Sequence, residues 1–203
     1  MLYCGERMST TSWGELVFQS VKDPALAARQ ILTLGLPRDA LWTGLLLMAA
    51  LNALLFSLSN LLIPIQAPMP AILTSPLGYF AFVAFGLTLA IHAIFYSGRW
   101  LGGMGRIEDI MAVMVWLQVL RVLVQALALV LVLVAPMMSA MLVVGASMFG
   151  LYVLVHFVNE SHQLGSVTRA IGVLLTSLVL MVIVLSLVIS LFGRAVLGPV
   201  LNV

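Results

Sequence analysis

Residues 110–158 read IMAVMVWLQVLRVLVQALALVLVLVAPMMSAMLVVGASMFGLYVLVHFV, 49 consecutive positions with a single charge, Arg121. As one helix this stretch would be about 73 Å long, more than twice the ~30 Å hydrocarbon core of a bilayer. It must fold back once. Ala135-Pro136 is the natural hinge, because proline cannot continue a helical ladder. Two spans follow, about 110–134 and 137–158.

Working outward, three more charge-free windows appear. Residues 40–63 hold 24 positions without a charge and end at Pro64, residues 77–97 hold 21 and close on Gly98-Arg99, and residues 170–192 hold 23. The expected fold is therefore all-α, a polytopic bundle of five transmembrane helices over residues 40–192. Residues 1–39 form an N-terminal segment before it and residues 193–203 a short tail after it.

The composition agrees. The chain has 203 residues, is 63% hydrophobic and carries only 16 charges, where a soluble domain of this length would carry roughly 50. That excludes a soluble enzyme, a nucleic-acid-binding domain and a disordered chain. The first 35 or so residues lack the short apolar core of a cleavable signal peptide. Cys4 is expected to be a free thiol, and Met8 is an alternative start to Met1.

Basic residues set the expected orientation, because Lys and Arg accumulate in cytoplasmic loops. Arg7, Lys22, Arg29, Arg38, Arg99, Arg106 and Arg169 fall on one side and only Arg194 on the other. The N-terminus is expected in the cytoplasm and the C-terminus outside it, in the periplasm if the membrane is a bacterial inner membrane. Within the N-terminal segment, Asp23-Pro24 reads as a helix start, with an N-cap carboxylate and proline at the first helical position. Trp13, Leu16, Val17 and Val21 make a second apolar face upstream. These amphipathic helices either lie in the headgroup layer or pack on their own bundle.

Arg121 requires an explanation at depth, since a charge at a span's centre costs at least about 2.5–3.5 kcal/mol on insertion scales. Gln118 and Gln125 stand three residues before and four after it on the same helix face, completing a polar stripe. All seven acids lie outside the spans. Three kinds of partner remain open: neutral acceptors such as Asn52, Thr88 or other hydroxyls and amides of the chain; an anionic lipid or an acid of another subunit; or a bound anionic substrate. His92 and His156 are the only histidines within the spans and fall toward the same side. No catalytic motif, metal-ligand set or cofactor loop is present, and Asn159-Glu160-Ser161-His162 reads as a solvated turn. Gly145, Ala146 and Gly150 put small residues through the fourth span, the spacing that permits close helix packing within the chain or in a homo-oligomer. The twelve methionines read as adaptable packing.

The connection after the second span reads Gly98-Arg99-Trp100-Leu101-Gly102-Gly103-Met104-Gly105-Arg106-Ile107-Glu108-Asp109. A Gly-Gly-x-Gly loop ahead of an aromatic-bearing third span, within a five-span order, resembles the bacterial branch of the Yip family, the Ypt/Rab-interacting membrane proteins. Gly102, Gly103 and Gly105 permit a tight loop and close backbone approach, and Glu108 and Asp109 follow as first-turn acids favoured by the helix dipole. The resemblance implies five spans, an N-terminus inside and a C-terminus outside. Eukaryotic members bind prenylated Rab GTPases, but their Asp-Leu-Tyr-Gly-Pro signature has no clear match here. Three functional expectations result: a non-enzymatic scaffold or accessory subunit partnered by the bilayer and a membrane protein or second copy; a permease or channel with Arg121 on an anionic-solute or lipid site; or a membrane-bending helper acting through the N-terminal helices.

Overall fold

The computed structural model describes residues 12–63 and 71–197, with side chains for 12–63 and 73–191. Cys4, Arg7 and Met8 lie outside the described residues, as does the side chain of Arg194. Eight helices are present among the described residues: α1 Trp13–Lys22, α2 Pro24–Thr33, α3 Arg38–Leu62, α4 Ala71–Thr74, α5 Pro76–Trp100, α6 Ile107–Val134, α7 Pro136–His162 and α8 Val167–Leu197. Five of them, α3, α5, α6, α7 and α8, are long and apolar enough to cross a membrane.

Local chemistry explains most helix ends. Ser12 and Glu15 form a reciprocal capping box at the start of α1. Asp23 ends α1 and caps α2, its carboxylate accepting from the Leu26 N–H at 3.0 Å. Ser75 caps α5 with Pro76 behind it. Ala135 separates α6 from α7, and Pro136 takes the first position of α7, where its missing N–H costs nothing. The fifth long helix runs to Leu197, past the end of the apolar window at Phe192.

The long helices form a closed ring in the order α3, α6, α7, α8, α5. Burial is concentrated at one end of it. Leu41 and Leu45 of α3, Ile91 and Ile94 of α5, Ile110–Met114 of α6, Phe157 and Val158 of α7, and Ala170 and Val173 of α8 make a single core there. Gly44 admits α6 closely at this level, with Val115 Cγ1 3.1 Å from where a Cβ would stand. Toward the other end burial fades. No residue of 73–90 or 178–191 is buried, and beyond Gln118 of α6 and before Val153 of α7 only Ala128 and Ser139 are. The Ser139 hydroxyl donates to the Ala128 carbonyl at 2.8 Å and stitches the hairpin there.

The N-terminal helices dock on the packed end. α2 lies against α6 and α7, and α1 against α2. Leu16, Ala27, Ala28 and Ile31 are part of the common core. The Trp116 indole N–H donates to the buried Ser20 hydroxyl at 2.8 Å, and the Trp13 ring stacks on Trp116 with centroids 6.0 Å apart. Arg29 grips Glu160 of α7 with two parallel hydrogen bonds of 2.9 and 3.1 Å, which also raises the Arg29 guanidinium above its ordinary pKa. The two helices pack on the bundle. The outward face of α1 nevertheless carries exposed Trp13, Phe18 and Val21.

A Ser20→Ala variant leaves the Trp116 indole N–H buried without an acceptor, at a cost of about 1–3 kcal/mol. The expected result in detergent is a lower melting temperature together with faster proteolysis within α1. Unchanged cleavage would show that this bond does not hold α1 down.

Candidate functional site

Two groups of residues stand out, one at each level of the bundle. At the packed end, the connection between α5 and α6 wraps the last turn of α7. His162 is completely buried there, and Ser161 nearly so. The His162 Nδ1–H donates to the Val158 carbonyl at 3.2 Å, while its Nε2 and the buried Ser97 hydroxyl have no partner. The glycines surround this imidazole. A Cβ on Gly98 would overlap the His162 ring, and one on Gly105 would overlap the Ser161 carbonyl. A Cβ on Gly103 would stand 2.9 Å from both the Gly98 carbonyl oxygen and His162 Cδ2. Gly102 alone of the loop adopts the left-handed region, at φ 85°.

Backbone bonds complete the wrap. The Gly103 N–H donates to the Gly98 carbonyl at 2.8 Å, and the Met104 N–H to the His162 carbonyl at 3.0 Å. Asp109 accepts from the Arg106 N–H at 3.1 Å. Glu108 faces Arg106 at 3.6 Å and Arg38 at 4.0 Å. Asn159 holds the turn into α8 by accepting from the Ser166 N–H at 3.0 Å. The Asn159–His162 cluster is thus not a solvated turn. Asn159 braces a loop, Glu160 anchors α2, and Ser161 and His162 are core. Sequence reasoning missed His162, although four glycines within eight residues signalled that something approaches that loop closely.

The loop's outer surface is apolar. Trp100 is 75% exposed, Met104 72% and Leu101 40%. Large apolar side chains on a braced loop form a presented surface rather than a frayed one.

The second group lies in the open half. A groove of about 820 Å³ runs along α6 and α7, with α3 contributing Leu55, Phe56 and Ser59 and α1 contributing Val17 and Val21 at its upper end. Gln118, Arg121 and Gln125 all line it. Arg121 is exposed, Gln118 buried and Gln125 half-buried. The Oε1 atoms of both glutamines are buried without a hydrogen-bond partner. Every ion pair among the described residues lies at the packed end, and Arg121 belongs to none. Two neutral candidates are engaged within their own helices: Asn52 donates to the Met48 carbonyl and Thr88 to that of Ala84.

Ala146 and Gly150 also line this groove. A Cβ on Gly145 or Gly150 would meet nothing within 4 Å, so the close approach that small residues permit is not made inside the chain. His92 and His156 each find company on their own helix, the Thr88 carbonyl at 2.8 Å and the Tyr152 ring at 4.6 Å.

A ring of five long apolar helices, two of them joined by a glycine-braced loop, defines a polytopic α-helical membrane protein. The Yip1 domain family matches the chain over residues 18–188, and the chain belongs to that family. Neither the curated proteins nor the solved structures contain a match.

Gly98→Ala forces the His162 ring aside, an overpacking cost of about 1–3 kcal/mol. In a double-mutant cycle with His162→Ala, the two losses are expected to be less than additive, because removing the ring makes room for the methyl group. Additive melting shifts would show that the two residues do not share this contact.

Proposed function

We propose that this Yip1-domain protein is a non-enzymatic membrane scaffold or accessory subunit that presents the α5–α6 loop to a membrane-protein partner. The observation that carries the reading is the exposure of Trp100 and Met104 on a loop locked by Gly98, Gly103 and Gly105 around His162. Exposed aromatic and methionine side chains on rigid backbone are the composition of binding hot spots, because little conformational entropy is lost when they are covered. A bacterial inner membrane fits this reading, with the N-terminus, α1, α2 and the loop in the cytoplasm and the C-terminus in the periplasm. Support comes from the basic residues, since Lys22, Arg29, Arg38, Arg99, Arg106 and Arg169 all stand at the packed end or on α1 and α2.

The permease alternative has less support. Arg121 lies in a groove flanked by exposed Leu123, Val143 and Leu151, side chains that face the bilayer in a membrane protein.

Two measurements test the reading. With Cys4 replaced by Ser, a cysteine at Met104 is expected to react with a membrane-impermeant maleimide only after the cells are opened; labelling of intact cells would reverse the orientation. A photo-crosslinking residue at position 104 is expected to capture a membrane protein, and Trp100→Glu to abolish that capture without altering the melting temperature. Absence of any protein adduct at position 104 in native membranes would remove the docking role.

A further inference from the structure

The depth of Arg121 follows from the aromatic pair above it. Tryptophans concentrate at the membrane–water interface, and Trp13 stacks on Trp116 where α1 meets the bundle. From Trp116 to Val134, the end of α6, the helix rises about 27 Å, close to the ~30 Å core. The nine residues before Trp116, with the packed core around them, then stand at or above the headgroups. Arg121 lies five residues below the pair, about 7.5 Å deeper, within reach of a headgroup drawn toward it.

Arg121 does not stand alone at that level. Gln118, only 6% exposed, and Gln125 line the same groove, and the buried Oε1 atom of each has no partner. A guanidinium fork and two side-chain amides thus lie along one groove, the donor types that hold an anion. Below them Leu129, Val132 and Val143 give the groove an apolar floor. Its volume of about 820 Å³ suits a small amphiphile.

We infer that this groove is a specific site for an anionic phospholipid, its phosphate held by Arg121 with Gln118 and Gln125 and an acyl chain lying against Leu129, Val132 and Val143. The inference stands apart from loop docking, since the two sets of residues do not overlap.

The test uses the full chain in mild detergent, with native mass spectrometry and thermal melting after addition of phosphatidylglycerol, phosphatidylcholine of the same chains, or inorganic phosphate alone. Phosphatidylglycerol is expected to remain bound and to raise the melting temperature, with phosphatidylcholine and free phosphate ineffective. Arg121→Gln should weaken phosphatidylglycerol binding at least tenfold. Gly150→Leu keeps the charge but fills the groove, and no described atom lies within 4 Å of the new Cβ. It should weaken binding similarly while melting like the parent without lipid. If Arg121→Gln does not fold, Gly150→Leu decides the matter alone. Equal retention of both lipids, wild-type binding by Gly150→Leu, or full protection by free phosphate would each overturn the lipid site.

Discussion

The His162 imidazole fills space that exists only because Gly98, Gly103 and Gly105 have no side chains. That fit determines where α5 stops, how its connection returns to α6, and how close α7 comes to both. Because the His162 carbonyl also accepts the Met104 N–H, the loop is tied to α7 through backbone as well as ring. The helix ends are thereby fixed in relative height. Glu160, half a turn earlier, then stands where Arg29 can reach it, and the N-terminal helices acquire their seat. Ser20 and Trp116 extend the same seat toward the membrane.

The parts of this fold that were legible in the sequence are those decided locally. The long charge-free runs, the proline at 136, the Asp23-Pro24 cap and the glycine loop each declare themselves within a few residues. What depends on a distant partner was not legible. The glycine loop was recognisable as a site of close approach, but the residue approaching it lies some sixty positions later, inside a cluster that looked like a polar turn. Composition assigns Asn-Glu-Ser-His to water, whereas the geometry buries two of the four because the facing backbone carries no Cβ atoms. At Gly145 and Gly150 the spacing permits a close helix approach that is not made inside the chain. Gly150 lines the groove instead. The stripe of Gln118, Arg121 and Gln125 was legible as one face of a helix. That it looks into a cavity was not, because cavity shape depends on how α3 and α7 diverge.

The uneven distribution of packing has a physical origin. At the packed end the helices carry Asp39, Arg99, Glu108, Asn159, Glu160 and Arg169 around buried Leu, Ile, Val and Met, an amphipathic arrangement. Below it the side chains are almost uniformly apolar, and lipid tails solvate such helices as well as a neighbouring helix does. The open half is held by its connections and by isolated bonds such as Ser139 to Ala128, and it remains open between α3, α6 and α7.

That openness bears on how one arginine is tolerated among so many apolar residues. A guanidinium sealed inside a tight bundle would need a carboxylate beside it, since an unpaired buried charge is among the costliest arrangements in a protein. Arg121 instead lines an open groove, five residues or about 7.5 Å along α6 from Trp116, with Gln118 and Gln125 lining the same groove. In that position the charge needs no partner built into the chain. On the inferred lipid site, the open side of the groove admits an anion that a closed core could not. The loose packing of the open half and the position of this charge are thus two sides of one arrangement, a bundle closely packed at one end only.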